Sequence, residues 1–197
     1  VAVRTRYEAA ADAEALLDTR LVAIGTWLFL GAEIFFFAAW WFAFFYLRAI
    51  NNNQGWQAQG VGPPSKGYGA VVVALAVLTA ITYLLGSRQA SRDLLFRLLT
   101  PVALVFGIAT SLFQGYEMWH LGFGLTQGGY PAVFSGMTGS WVIQFALATA
   151  WLGSIVTQAG PAGDTMARRK PAGSFAWILL FLAAVGIVNY ILLYFVA

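Results

Sequence analysis

Two acids stand where acids are costly. Of the eight Asp and Glu in 197 residues, Glu33 lies in "GAEIFFFAAWWFAFFY" and Glu117 in "SLFQGYEMWHLGF". Gln114 precedes Glu117 by three residues, and His120, the single histidine, follows it by three. Carboxyl, amide and imidazole groups at such positions can hold protons, cations or polar headgroups, so whatever chemistry the chain has starts here. The rest of the inventory is restrictive. With no cysteine and one histidine, the chain cannot build a thiolate-held iron–sulfur cluster, a c-type haem attachment or a copper pair bridged by two thiolates. His120 cannot supply both ligands of a haem held between facing helices, and one histidine with two membrane acids makes no zinc or non-haem iron site. Ser–His–Asp catalysis fails too, because Glu117 is the only acid near His120 and no serine stands in a nucleophile-like turn. The expectation is no catalytic residue and no metal in this chain.

The elements that position these acids follow from composition. Hydrophobic residues make up 60% of the chain, charged residues 10%, and mean hydropathy is +0.73. Soluble domains carry about 25% charged residues, so the solvent here is a bilayer. Five runs are nearly free of charge, at residues 21–47, 68–87, 98–120, 132–157 and 174–197. Each is long enough to cross as a helix, for which about 20 residues suffice, and the first should tilt or project. An all-α integral membrane fold with five spans is expected. Residues 1–19, "VAVRTRYEAAADAEALLDT", are charged and Ala-rich with no apolar signal-like core, and read as a short surface helix or frayed tail. Basic residues divide unevenly. Arg4, Arg6, Arg20, Arg88, Arg92, Arg97, Arg168, Arg169 and Lys170 flank one side of the spans, against Arg48 and Lys66 on the other. That places the N-terminus in the cytoplasm and the C-terminus outside. The net charge of +3 then describes orientation and contact with anionic lipid. It gives no ground for a nucleic-acid partner.

Glu33 is twelve residues from Leu21 and fourteen from Leu47, near mid-membrane. A charge at that depth costs roughly 2.5–3.5 kcal/mol on insertion scales. The cost falls if the carboxyl is protonated, bonded to a neighbouring helix, or facing a wet or headgroup-filled crevice. Phe29, Phe37, Trp40 and Phe44 share its helical face, an expected aromatic wall for lipid. As rings alone they read as lipid-facing bulk. Gly25, Ala32, Ala39 and Ala43 form a stripe of small residues along which another helix should approach closely. On the third span Gly107, Ser111, Gln114 and Glu117 form one polar stripe, and Gly136, Ser140 and Gln144 answer on the fourth. Such stripes pack and hydrogen-bond membrane helices; His120, at the water boundary, reads as an interfacial hydrogen-bonding residue.

These segments resemble a known family. "GTWLFLGAEIFFFAAWWFAFFYLR" is similar to the span of subunit III of haem–copper oxidases that reads Gly-x-Trp-x-Phe-x-x-x-Glu, with Glu33 as its acid. "SLFQGYEMWHLGF" resembles the Gln-x-x-Glu-aromatic end of a later span, and "YPAVFSGMTGSWVIQFALATAWLGSI" the Phe-x-x-x-Thr-Gly span after it. The resemblance covers residues 20–197 as a five-helix, divergent form lacking a leading pair of helices. It departs where the family carries Thr-Gly-x-His-Gly-x-His, since Trp141 and Gln144 stand here without histidine. The last span has neither the family's His nor its Asp, and Asn189 is its one strongly polar side chain at depth.

The resemblance implies a non-catalytic subunit of a V-shaped helix bundle in a bacterial inner membrane. Haem and copper would reside in catalytic subunit I and copper-bearing subunit II. This chain would stabilise the catalytic subunit, hold phospholipid near Glu33, Phe29, Phe37, Trp40 and Phe44, and support proton uptake. The nitric oxide reductase accessory subunit is a variant of this reading. A small proton or ion transporter using Glu33 is the alternative from another class, though such a chain ordinarily brings a second ionisable group at depth or helices broken mid-span.

Overall fold

A helix in hydrocarbon satisfies its own backbone, and an apolar side chain gains nothing from water by turning inward, so both sides of these helices can be greasy. The computed structural model describes residues 2–51, 55–57, 61–62, 64–88, 93–158 and 165–196, with side chains for 20–51, 55–57, 61–62, 64–88, 94–157 and 173–196. All its regular elements are helical. They are α1 (Ala2–Ile50), α2 (Lys66–Arg88), α3 (Asp93–Trp119), α4 (Gly129–Gln158) and α5 (Thr165–Ile191), which runs on through a wider turn over Leu192–Val196. All five are long and apolar enough to cross a membrane. The backbone of α1 is helical from Ala2 onward, so the N-terminal segment and the first span form one helix where a boundary at residue 20 was expected. Arg92 and Asp164, used in the charge and acid counts, lie outside the described residues.

Helix α1 packs on α4 and α5, α2 on α3 and α5, and α3 on α4. The inward seam of α1 is Leu30, Phe37 and Phe44, seven residues apart, joined by Trp40, Trp41 and Leu47. Seven-residue spacing keeps one seam facing its neighbours along a long helix. Phe37 packs on Phe181 of α5 and Phe44 on Trp56 of the following loop. The expected aromatic wall is therefore corrected in three of four places. Phe37 and Phe44 are fully buried and Trp40 is half-buried, packed inside the protein. Phe37, Trp40 and Phe44 meet other parts of this chain, while Phe29 is exposed.

The small stripe behaves in the opposite way. Gly25, Ala32 and Ala39 are exposed, and a Cβ on Gly25 would meet nothing within 4 Å. Beside them runs an outward ridge of Leu21, Leu28, Phe35 and Phe42.

Two close approaches set the helix spacing. Gly136 of α4 lies under the Trp40 ring of α1, where a Cβ would collide with the indole. Gly186 of α5 lies under Trp141 of α4, whose Nε1 donates to the Leu182 carbonyl at 2.8 Å. The start of α4 is held by the loop after α1. Gly129 and Tyr130 donate their backbone N–H to the carbonyls of Gly55 and Trp56 at 3.0 and 2.8 Å, which supplies partners for first-turn donors. Gly128, at φ 129°, makes the turn into this helix in a conformation that favours glycine.

Overpacking a tight helix contact costs about 1–3 kcal/mol. Gly136→Val is expected to lower the thermal midpoint in detergent through its collision with Trp40, whereas Gly115→Val, which meets open space, leaves it nearly unchanged.

Candidate functional site

The two acids have opposite surroundings. Glu117, near the end of α3, is 8% exposed. The Tyr194 hydroxyl donates to its Oε1 at 2.7 Å, and Gln114 Nε2 donates to its Oε2 at 2.7 Å. Tyr194 comes from the wider turn that ends α5, where Leu192, Leu193 and Tyr194 are all buried in succession. Its ring fits because Gly69 of α2 lacks a Cβ, which would come within 2.8 Å of it. Tyr130 of α4 donates to the Leu193 carbonyl at 2.9 Å and so fixes the same turn. Donors from α3 and from the end of α5 thus hold the carboxyl group, with α2 and α4 fixing the turn that carries Tyr194. Beside it opens a cleft of about 380 Å³, lined by Ser65, Tyr68, Tyr116, Glu117, His120 and Phe123 among others.

Glu33 lies on the seam of α1 between Leu30 and Phe37, half-buried, and lines a second groove between α1, α4 and α5. This groove measures about 520 Å³ and its walls include Phe29, Gln144, Trp151, Phe181 and Leu182. Glu33 Oε2 and Gln144 Oε1 are each buried with no hydrogen-bond partner. Of the four aromatic residues expected around Glu33, Phe29 alone lines the groove with it.

The polar stripes on α3 and α4 do not face each other as expected. Ser111 donates to its own helix at Gly107 O, and Ser140 to Gly136 O. That is the usual way a hydroxyl is satisfied inside a membrane helix. Gly136 faces α1, and Gln144 reaches the Glu33 groove. Gly107 does pack between α2 and α4, against Thr79 and Thr149. His120 is exposed; its Nδ1 lies 2.9 Å from Tyr116 O on its own helix, and its ring packs, tilted by 31°, on Tyr116 with centroids 4.0 Å apart. Among the described residues no group of three or more His, Cys, Asp or Glu is placed to hold a metal ion.

Sequence reasoning missed the partners of these groups. Tyr194 and Tyr130 carry no sign, in the sequence, of which acid or carbonyl they reach. Asn189 was visible, but not its bond from Trp41 Nε1 of α1, at 2.9 Å. Trp141, noted for standing among the family's missing histidines, is a buried interhelical donor to Leu182 O.

Leaving a buried acceptor without its hydrogen bond costs about 1–3 kcal/mol. Tyr194→Phe should lower unfolding stability by that order in a denaturation titration, while Tyr46→Phe, an exposed ring, should fall within error of the parent chain.

No family model matches the chain. It is 34% identical over 128 residues to the probable cytochrome c oxidase subunit 3 of Mycobacterium leprae (strain TN). The match covers 60% of this chain and 60% of the length of that relative. Together with five apolar helices, the similarity supports a multi-pass membrane protein related to subunit III of an oxidase.

Proposed function

We propose that this chain is the accessory subunit III of a respiratory haem–copper oxidase in a bacterial cell membrane, with its N-terminus in the cytoplasm. It has no active site of its own. Catalytic subunit I reduces oxygen to water and pumps protons, subunit II carries copper, and this chain stabilises the catalytic subunit and holds lipid beside it. The observation that carries the reading is the 34% identity to the mycobacterial protein named as a probable cytochrome c oxidase subunit 3.

Geometry supports both parts of the role. Acyl chains suit the walls of the 520 Å³ groove, and a polar lipid group or water suits the unpartnered oxygen at Glu33. A neighbouring crevice of about 370 Å³ brings Arg88 together with Trp27, Ser87, Ser174 and Trp177, a setting for an anionic headgroup at the membrane boundary. Partner docking has a surface on α1 that borders the groove, which Gly25 also lines. The ridge of Leu21, Leu28, Phe35 and Phe42 runs beside the empty furrow of Gly25, Ala32 and Ala39, each at seven-residue spacing. A ridge next to a furrow of small residues is the shape into which a helix of another chain packs closely.

Purification in mild detergent tests the assignment. The tagged chain should bring down haem absorbance and stoichiometric oxidase subunits; a colourless chain purified alone would refute the role. Filling the furrow with Ala32→Leu and Ala39→Leu together should reduce recovered haem several-fold, since close approach is lost. Glu33→Ala should leave assembly and the haem spectrum intact while activity declines over repeated turnover and bound lipid is lost. Unchanged turnover and lipid content in that variant would remove Glu33 from any functional role.

A further inference from the structure

The Glu117 cleft has no part in the lipid groove or in the docking face of α1, and its composition is unusual. Its acid is more than nine-tenths buried, and both donors on it, Gln114 Nε2 and Tyr194 OH, are neutral. Both carboxyl oxygens act as acceptors, which orients the group, and when ionised it has no basic side chain paired with it among the described residues. An uncompensated buried charge is costly, by several kcal/mol in order of magnitude, and a closely seated cation offsets part of that cost. The remaining walls show what kind of cation fits. Tyr68, Tyr116 and Phe123 present rings to the same space, with the Tyr68 and Tyr116 centroids 6.4 Å apart, and His120 packs on Tyr116.

We infer that this cleft binds an organic ammonium group, with the Glu117 carboxylate as counter-charge and the rings of Tyr68, Tyr116 and Phe123 as its walls. A hard metal ion is the poorer fit. Calcium takes six to eight oxygen ligands and magnesium a near-octahedral set, whereas the cleft offers one carboxylate, and no third His, Cys, Asp or Glu stands near among the described residues. At about 380 Å³ the space also suits a small organic group, since ligand pockets start at roughly 300 Å³. Alkylammonium ions are attracted both to a carboxylate and to aromatic faces. Glu117 lies at the end of a membrane span, the depth of a lipid headgroup. The ammonium can therefore come from an ethanolamine- or choline-headed lipid or from a free amine in the adjoining water.

Two arms separate these sources. In the first, the full chain in phosphatidylglycerol nanodiscs is titrated with choline and with ethanolamine, with sodium chloride and glycerol as controls, and binding is followed by calorimetry and saturation-transfer NMR. In the second, the chain is taken from nanodiscs of equal phosphatidylethanolamine and phosphatidylglycerol, and retained lipid is read by native mass spectrometry. Saturable binding of the soluble amines without lipid enrichment assigns a free amine. Enrichment of phosphatidylethanolamine, with or without soluble-amine binding, assigns the headgroup. Glu117→Gln should weaken either signal by about tenfold or more. Tyr116→Leu should weaken it by roughly two- to fivefold; this ring is exposed, so the variant reports even if the first fails to fold. Amines that bind no better than glycerol, with no lipid preference, overturn the inference. So does a signal that persists in both variants.

Discussion

A polar group inside these helices has only other protein groups to bond to, and the last helix supplies them. Asn189 of α5 accepts from Trp41 of α1, and the Tyr190 hydroxyl donates to the Lys66 carbonyl at the start of α2. Tyr194, in the turn that ends α5, donates to Glu117 of α3, and the Leu182 carbonyl accepts from Trp141 of α4. One helix is thereby tied by a side-chain hydrogen bond to each of the other four. Apolar burial cannot fix the arrangement in hydrocarbon, because lipid tails serve a leucine as well as another helix does. Directional bonds and close fits must set it. The fits coincide with the bonds, since Gly186 admits the Trp141 ring and Gly69 admits Tyr194.

The same constraint separates the two acids. Glu117 is held by donors from its own helix and from α5, so its carboxyl stands in one geometry at the edge of a cleft. A group fixed in this way is preorganised for an incoming partner. Glu33 lines an apolar groove with one oxygen buried and unpaired. Its neighbour Gln144 is in the same state. Buried polar atoms without partners are rare in native proteins. Glu117 is thus oriented from within, whereas no group among the described residues pairs with the buried oxygen of Glu33.

The five long apolar helices and the two acids within them were legible in the sequence, because each rests on hydropathy or on a charge out of place. Which face each helix turns inward was not. Phe35, Phe37, Phe42 and Phe44 belong to one run, yet Phe37 and Phe44 are fully buried while Phe35 and Phe42 are 80% and 70% exposed. No polar face distinguishes them, so the periodicity that orients a soluble helix carries no information here. Shape decides, through contacts such as Trp40 on Gly136 that only the folded pair displays. The end of α5 was hidden for another reason. The wider turn over Leu192–Val196, in which Leu192, Leu193 and Tyr194 are all buried, has no signature in the sequence.

The exposed side of α1 follows from the same physics. In water, a ridge of Leu21, Leu28, Phe35 and Phe42 would itself be a demand for burial; in a bilayer it is satisfied by lipid. What suits a protein neighbour is the furrow beside it. Acyl chains are mobile and fill irregular surfaces, and need no row of small residues. Gly25, Ala32 and Ala39 repeat with the ridge, and that match of period suits a rigid helix, whose side chains recur at fixed intervals along the contact. The seam of Leu30, Phe37 and Phe44 already shows α1 using this period inward, against α5 and the Trp56 loop. A second face of the same period on α1 is where the proposed accessory role would seat a helix of another chain.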